Sequence, residues 1–281
     1  MKKVYLLPNV ITAFGLSCGL FVIFKMTMIG VGEANYQVLV ATAGIMLLAA
    51  FADLLDGAVA RAMHAESEFG GIFDSLADAI TFGVCPSVII IKTLSLPPGT
   101  ELSFLITTAV MVFSVCGVLR LVRFNVISLQ AKSDQHLADS HKKNFTGLPI
   151  PAAAAAAVSG NLFLASDELR SLISLSEKAR TWILFFQMIF LGYFMISRWK
   201  YPSLKSLRVR VASFQIVFLT VIFAVCIFYG ILHHFAVVFF AISWTYLVIA
   251  WTLSIIRLIS GKKSKTLEDF EPEPDELEEE P

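Results

Sequence analysis

Charged side chains are scarce in this sequence. They make up 16% of 281 residues, against 57% hydrophobic ones, a balance that a water-soluble domain of this length rarely shows. Cysteine is rarer still: Cys18, Cys85, Cys116 and Cys226 all fall inside apolar stretches, and no two have CxxC spacing. That argues against a disulfide framework or a thiolate zinc site and leaves them as small packing residues. The five histidines are scattered, apart from the His233-His234 pair, and offer no metal-ligand spacing. Neither a Walker motif nor a dinucleotide glycine fingerprint is present, so the composition and motifs exclude a soluble nucleotide enzyme. The start, Met1-Lys2-Lys3 running into Pro8-Asn9, lacks a small-residue cleavage site and predicts no cleaved leader.

Long apolar runs fill the space that charge leaves. Phenylalanine occurs 24 times, a usage suited to lipid contact. A helix needs about 20 apolar residues to cross a hydrocarbon core. Stretches of that kind are predicted near 9–29, 36–60, 72–94, 102–127, 148–165, 180–197, 211–229 and 234–258. The expectation is an all-α integral membrane protein of about eight spans. The alanine run Ala152–Ala157 predicts a fifth helix that packs closely on its neighbours. The composition predicts one transmembrane catalytic domain over residues 1–260 and a charged, disordered cytoplasmic tail over 261–281.

The formal net charge of zero conceals a division. From Glu268 to Pro281 there are nine acidic residues and no basic one, leaving 13 acidic against 22 basic groups in the body. Of those 22 basic groups, Lys25, Lys92, Arg170, Lys178 and Arg180 fall on one side of the predicted spans, and the rest fall on the other. By the positive-inside rule the richer side, which carries both termini, faces the cytoplasm. The end of the second helix and the start of the third share that side.

Four acids sit there. Helix two ends Asp53-Leu54-Leu55-Asp56-Gly57-Ala58-Val59-Ala60-Arg61, and Gly70-Gly71-Ile72-Phe73-Asp74-Ser75-Leu76-Ala77-Asp78 opens helix three. Spacings of three and four put each pair on one helical face, and a short turn between antiparallel helices makes the two faces neighbours. A single charge in the membrane costs about 2.5–3.5 kcal/mol on insertion scales, and like charges nearby add to that. Protonation or bound cations relieve the cost. All-oxygen ligands suit Mg²⁺, Mn²⁺ or Ca²⁺, and two divalent ions balance four carboxylates. Mg²⁺ commonly completes its shell with phosphate oxygens, which points to a phosphorylated substrate. Gly57 and Ala60 lie on the Asp53 face and leave a stripe without bulk, fit for a ligand or for close helix packing. Arg61 at its end reaches either a phosphate or the lipid headgroups.

The full spacing is Asp53-x2-Asp56-Gly57-x2-Ala60-Arg61-x8-Gly70-x3-Asp74-x3-Asp78. It resembles, at every fixed position, the signature of the CDP-alcohol phosphotransferase family. The resemblance implies a six-helix core, usually dimeric, to which two of the eight spans are additions. It implies that Asp53, Asp56 and Asp74 bind a two-metal centre of Mg²⁺ or Mn²⁺. Asp78 is implied to bind metal and to deprotonate the acceptor hydroxyl. Tyr5–Thr12 looks like the family's Pro-Asn-x-x-Thr element beside the cytidine nucleotide. Asn9, Thr12, Gly57, Ala60, Arg61 and Ser67 are therefore the expected contacts of CDP-diacylglycerol, Ser67 being also what a polar turn would contain.

Three further segments are similar to the bacterial and archaeal branch of the family that uses L-serine: Asp74–Asp78 with Phe82-Gly83 and Pro86, Arg120–Asn125, and Phe145–Ala152. That similarity implies a prokaryotic cytoplasmic-membrane enzyme converting CDP-diacylglycerol and serine to phosphatidylserine and CMP, with no nucleic-acid partner. Arg120 and Arg123 share a helical face, and a guanidinium holds a carboxylate bidentately, so either is a candidate for the serine carboxylate. The alternative is that both meet lipid phosphates or a neighbouring acid. An inositol phosphate, glycerol phosphate or choline acceptor uses the same core chemistry. A cation-coupled transporter fits poorly, since the acids cluster at one edge and no internal duplication is evident.

Overall fold

The computed structural model describes residues 6–63, 65, 67–97, 99–133, 145–197, 200–201, 230 and 233–259. The helices are α1 (Leu6–Thr27), α2 (Tyr36–Ala62), α3 (Glu68–Asp78), α4 (Cys85–Thr93), α5 (Glu101–Ser133), α6 (Ile150–Ala165), α7 (Asp167–Leu172), α8 (Glu177–Ile196) and α9 (Phe235–Ile259). A π-helical turn, Ala79–Val84, joins α3 to α4 in one continuous span. Among the described residues six segments are long and apolar enough to cross a membrane: α1, α2, α3–α4, α8, and the apolar parts of α5 and α9. The expected all-α membrane architecture is present. The expected span at 211–229 and the tail at 261–281 lie outside the described residues.

Local chemistry sets several boundaries. Asn35 caps α2 by accepting from the Val38 amide at 2.9 Å, and Ser67 caps α3 from Gly70 at 3.0 Å. That cap starts the third span at Glu68, four residues before the apolar pattern predicts. The π-helical turn has an evident cause in Pro86, the second residue of α4. Proline lacks an N–H and clashes with the preceding turn, so a regular α-helix cannot run through it unaltered.

The fifth helix, α6, is shorter than a full crossing, about 24 Å at 1.5 Å per residue. Its alanines account for its place: Ala153, Ala154, Ala156 and Ala157 are all at most 1% exposed. With no bulk on that face, α2, α8 and α9 close in around it. Gln187 of α8 donates to the carbonyls of Ala156 and Ala157. At the far end from the aspartates a buried polar chain ties three helices: Arg180 donates to Asn161 at 3.1 Å, and Asn161 to Thr93 at 3.1 Å. Large apolar side chains such as Phe21, Phe24, Phe51 and Leu54 point outward, as a lipid-facing surface requires.

Two glycines fix close approaches. At Gly19 on α1 an added Cβ would lie 3.0 Å from the Thr81 Cα, so α1 rests directly on the π-helical turn. Gly147 has φ of 83°, and an added Cβ would also press on the Met195 carbonyl at the end of α8. Around it, Phe145–Thr146 (β1) pairs antiparallel with Lys200–Tyr201 (β2), and Leu148 donates to the Phe194 carbonyl at 3.0 Å. The Gly/Pro-punctuated segment entering α6 is thus pinned to α8.

Candidate active site

The carboxylates of Asp53, Asp56 and Asp74 converge between α2 and α3, with one ligand oxygen from each within 4.8 Å of the others. Their helical spacing does half of this, and the packing of both α2 and α3 on α1 does the rest. Asp78, one turn beyond Asp74, lines the same crevice with Thr12, Ala77, Thr81 and Phe82. Asp56 is buried, and the other three are half-buried. Each of Asp53, Asp74 and Asp78 lies in the field of neighbouring carboxylates. Such crowding of anions away from bulk water calls for counter-charge.

Part of that charge comes from α5. Arg120 acts electrostatically on Asp78, whereas Arg123, one turn further on, is not among the charges acting on the four aspartates. The two arginines that the sequence leaves equivalent are therefore separated by the structure. Ser75, between Asp74 and Asp78, donates to Asn125 at 3.1 Å and joins α3 to α5 here.

A cleft of about 250 Å³ opens beside the crevice, lined by Asn9, Thr12, Asp56, Gly57, Ala60, Arg61, Ser67, Gly70 and Asp74 among others. All six residues expected to contact the nucleotide lipid line it. Three show what holds them. Thr12 is buried and donates to Asp56 in a short hydrogen bond, tying α1 to α2. The Ser67 hydroxyl oxygen accepts from Gly70, so its cap role is occupied while its own proton remains available. Arg61 folds back over Gly57, whose absent Cβ would lie 3.3 Å from the Arg61 Nη1.

A three-carboxylate cluster at this spacing fits hard divalent cations: the donors are all oxygen, their mutual distances suit shared ligation, and no Lys or Arg forms an ion pair with the cluster among the described residues. The Thr12 contact escaped the sequence reading, which assigned that residue to the nucleotide alone. Tyr246 was missed entirely. It stands on α9 within the electrostatic reach of Arg120, and no local spacing could link residues so far apart in the chain.

Residues 5–193 match the family model for CDP-alcohol phosphatidyltransferases. The CDP-diacylglycerol–serine O-phosphatidyltransferase of Helicobacter pylori is 31% identical over 263 residues, covering 93% of this chain and 98% of that protein. The Bacillus subtilis protein of the same name is 29% identical over 201 residues, 71% of this chain and 91% of its own. An archaetidylserine synthase of Methanothermobacter thermautotrophicus is 33% identical over 173 residues, 60% of either chain.

Proposed function

Because the chain belongs to the CDP-alcohol phosphatidyltransferase family, we propose that it transfers the phosphatidyl group of CDP-diacylglycerol to the hydroxyl of L-serine, giving phosphatidylserine and CMP. The observation that carries this reading is the meeting of four carboxylates with a cleft lined by the nucleotide candidates. Relatives named for transfer to serine, similar across nearly the whole chain, support serine as acceptor.

Asp53, Asp56, Asp74 and Asp78 are the residues to hold divalent ions, Mg²⁺ or Mn²⁺. Bound there, two such ions supply neutralisation of the diphosphate and of the charge that develops on the departing CMP. Asn9, Thr12, Gly57, Ala60, Arg61 and Ser67 bind the cytidine diphosphate head. The missing bulk at Gly57 and Ala60 lets the ligand approach the α2 backbone. Arg120 draws the acceptor carboxylate toward Asp78. Asp78 takes the proton from the serine hydroxyl, the oxygen attacks the lipid-side phosphorus, and the bond to the CMP oxygen breaks in line. The diacyl tails remain in the bilayer throughout.

The charge asymmetry of the connections supports a cytoplasmic-membrane protein with termini and active site toward the cytoplasm. A homodimer is the expected assembly. Purified protein given CDP-diacylglycerol, Mg²⁺ or Mn²⁺, and one acceptor at a time tests the central reading. Serine-dependent CMP release that EDTA stops is the expected outcome. Release that requires glycerol phosphate, inositol phosphate or choline instead would replace the acceptor and keep the chemistry.

A further inference from the structure

Among the described residues, every buried serine and threonine but one has a hydrogen-bond partner. Thr42, Thr93 and Thr181 donate to a carbonyl of their own helix, and Thr12, Ser87, Ser159 and Ser166 are also bonded. Thr81 is the exception. It is 2% exposed, and its hydroxyl oxygen is shut off from solvent with no partner. Burying a hydroxyl unmatched is costly.

The backbone explains its state. A helical threonine commonly bonds the carbonyl three or four residues back. Thr81 sits inside the π-helical turn Ala79–Val84, whose wider winding carries those carbonyls out of register. Gly19 of α1 closes on the same hydroxyl, and an added Cβ there would stand 2.5 Å from the Thr81 Oγ1.

Thr81 lines the crevice together with Asp53, Asp56, Asp74 and Asp78. The crevice holds about 10 Å³, the room of roughly one water molecule. That size decides which ligand reaches it. A nucleotide or an amino-acid acceptor is far too large, whereas a bare cation fits. Thr81 follows Asp78 by three residues, and helical side chains lean toward the N-terminus, so it leans toward that carboxylate.

We propose that Thr81 is a positioning residue of the cation site, its hydroxyl donating to the Asp78 carboxylate and fixing which oxygen faces the ion. This rests on the divalent-ion reading above. A ligating carboxylate gives one oxygen to the metal and is itself commonly hydrogen-bonded by a group behind it. Thr12 stands in that relation to Asp56. Thr81 is the matching donor for Asp78, left free because the π-helical turn denies it a backbone carbonyl.

Thr81→Val keeps the shape and removes the hydroxyl. Calorimetric titration of Mn²⁺ into the purified protein, without substrate, is the readout. The variant should bind Mn²⁺ about tenfold more weakly than the wild type, the lower end of what losing such a support costs. Its thermal midpoint in EDTA should hold or rise, because an apolar group replaces an unmatched polar one. Thr81→Ser keeps the donor and should keep the wild-type affinity. Unchanged Mn²⁺ binding in Thr81→Val overturns the proposal. A lowered midpoint in EDTA also overturns it, by making Thr81 a packing residue. So does an equal loss of Mn²⁺ affinity in Thr81→Ser. Failure of the divalent-ion reading looks different, since the wild-type protein would then bind no Mn²⁺.

Discussion

Thr12 donates its hydroxyl proton to Asp56, a residue 44 positions later in the chain. The bond fixes one carboxylate oxygen of a cluster that the sequence assigns to metal, and it joins the first helix to the second. A group that orients a ligand from behind is commonly worth 10–100-fold in metal affinity. Thr12→Val should therefore raise the Mg²⁺ or Mn²⁺ concentration for half-maximal activity by about tenfold. Thr12→Ser should restore most of the loss. A metal titration of CMP release reads both.

Asp78→Asn tests the base. The variant should remain folded and still bind CDP-diacylglycerol, while CMP release falls by about 10²–10⁴-fold, the range for losing a positioned general base. Full turnover would remove Asp78 from that role.

Divalent-ion removal should act on the cluster as a whole. Chelation should abolish CMP release, and either Mg²⁺ or Mn²⁺ should restore it. Asp56→Asn should shift that restoration to higher ion concentrations. Monovalent salt at equal ionic strength should not substitute, because the three carboxylates that converge within 4.8 Å require concentrated charge.

Asn161→Ala probes the opposite end of the bundle. It strips the buried Arg180 of its Asn161 acceptor, leaving only the 3.9 Å ion pair to the more exposed Glu177, at a cost of about 1–3 kcal/mol. The thermal midpoint should fall, while the KM for CDP-diacylglycerol measured below it should hold. A change in KM without a change in midpoint would contradict a structural role.

Gly147→Ala should destabilise by about 1–3 kcal/mol through its left-handed backbone. The added methyl also meets the Met195 carbonyl, so the β1–β2 pairing should loosen. Hydrogen exchange at the Leu148 amide, bonded to the Phe194 carbonyl, is the local readout.

Much of the site was legible because its information is local. Asp53 and Asp56, like Asp74 and Asp78, are set on shared faces by helical periodicity, and a short connection keeps the two pairs close in the chain while both helices pack on α1. The alanine run likewise announced a closely packed helix, and α6 is that helix. Contacts between distant segments were not legible. Nothing near Thr12 names Asp56, and nothing near Ser75 names Asn125. Arg120 and Arg123 were equivalent in the sequence because they share a helical face; packing against α3 distinguishes them. The π-helical turn could have been suspected from Pro86 inside an apolar span, yet its position directly after Asp78 is a three-dimensional fact.

That turn leans on Gly19, and the contact has a reach beyond its own atoms. Gly19 and Thr12 are two turns apart on the same helix, so the distance at which α1 stands from its neighbour governs where the threonine hydroxyl arrives. A single hydrogen atom in place of a side chain acts as a spacer gauge for a carboxylate it never touches. Widening that gap by one methyl group should be felt first as weaker hold on the cation, before any helix comes apart.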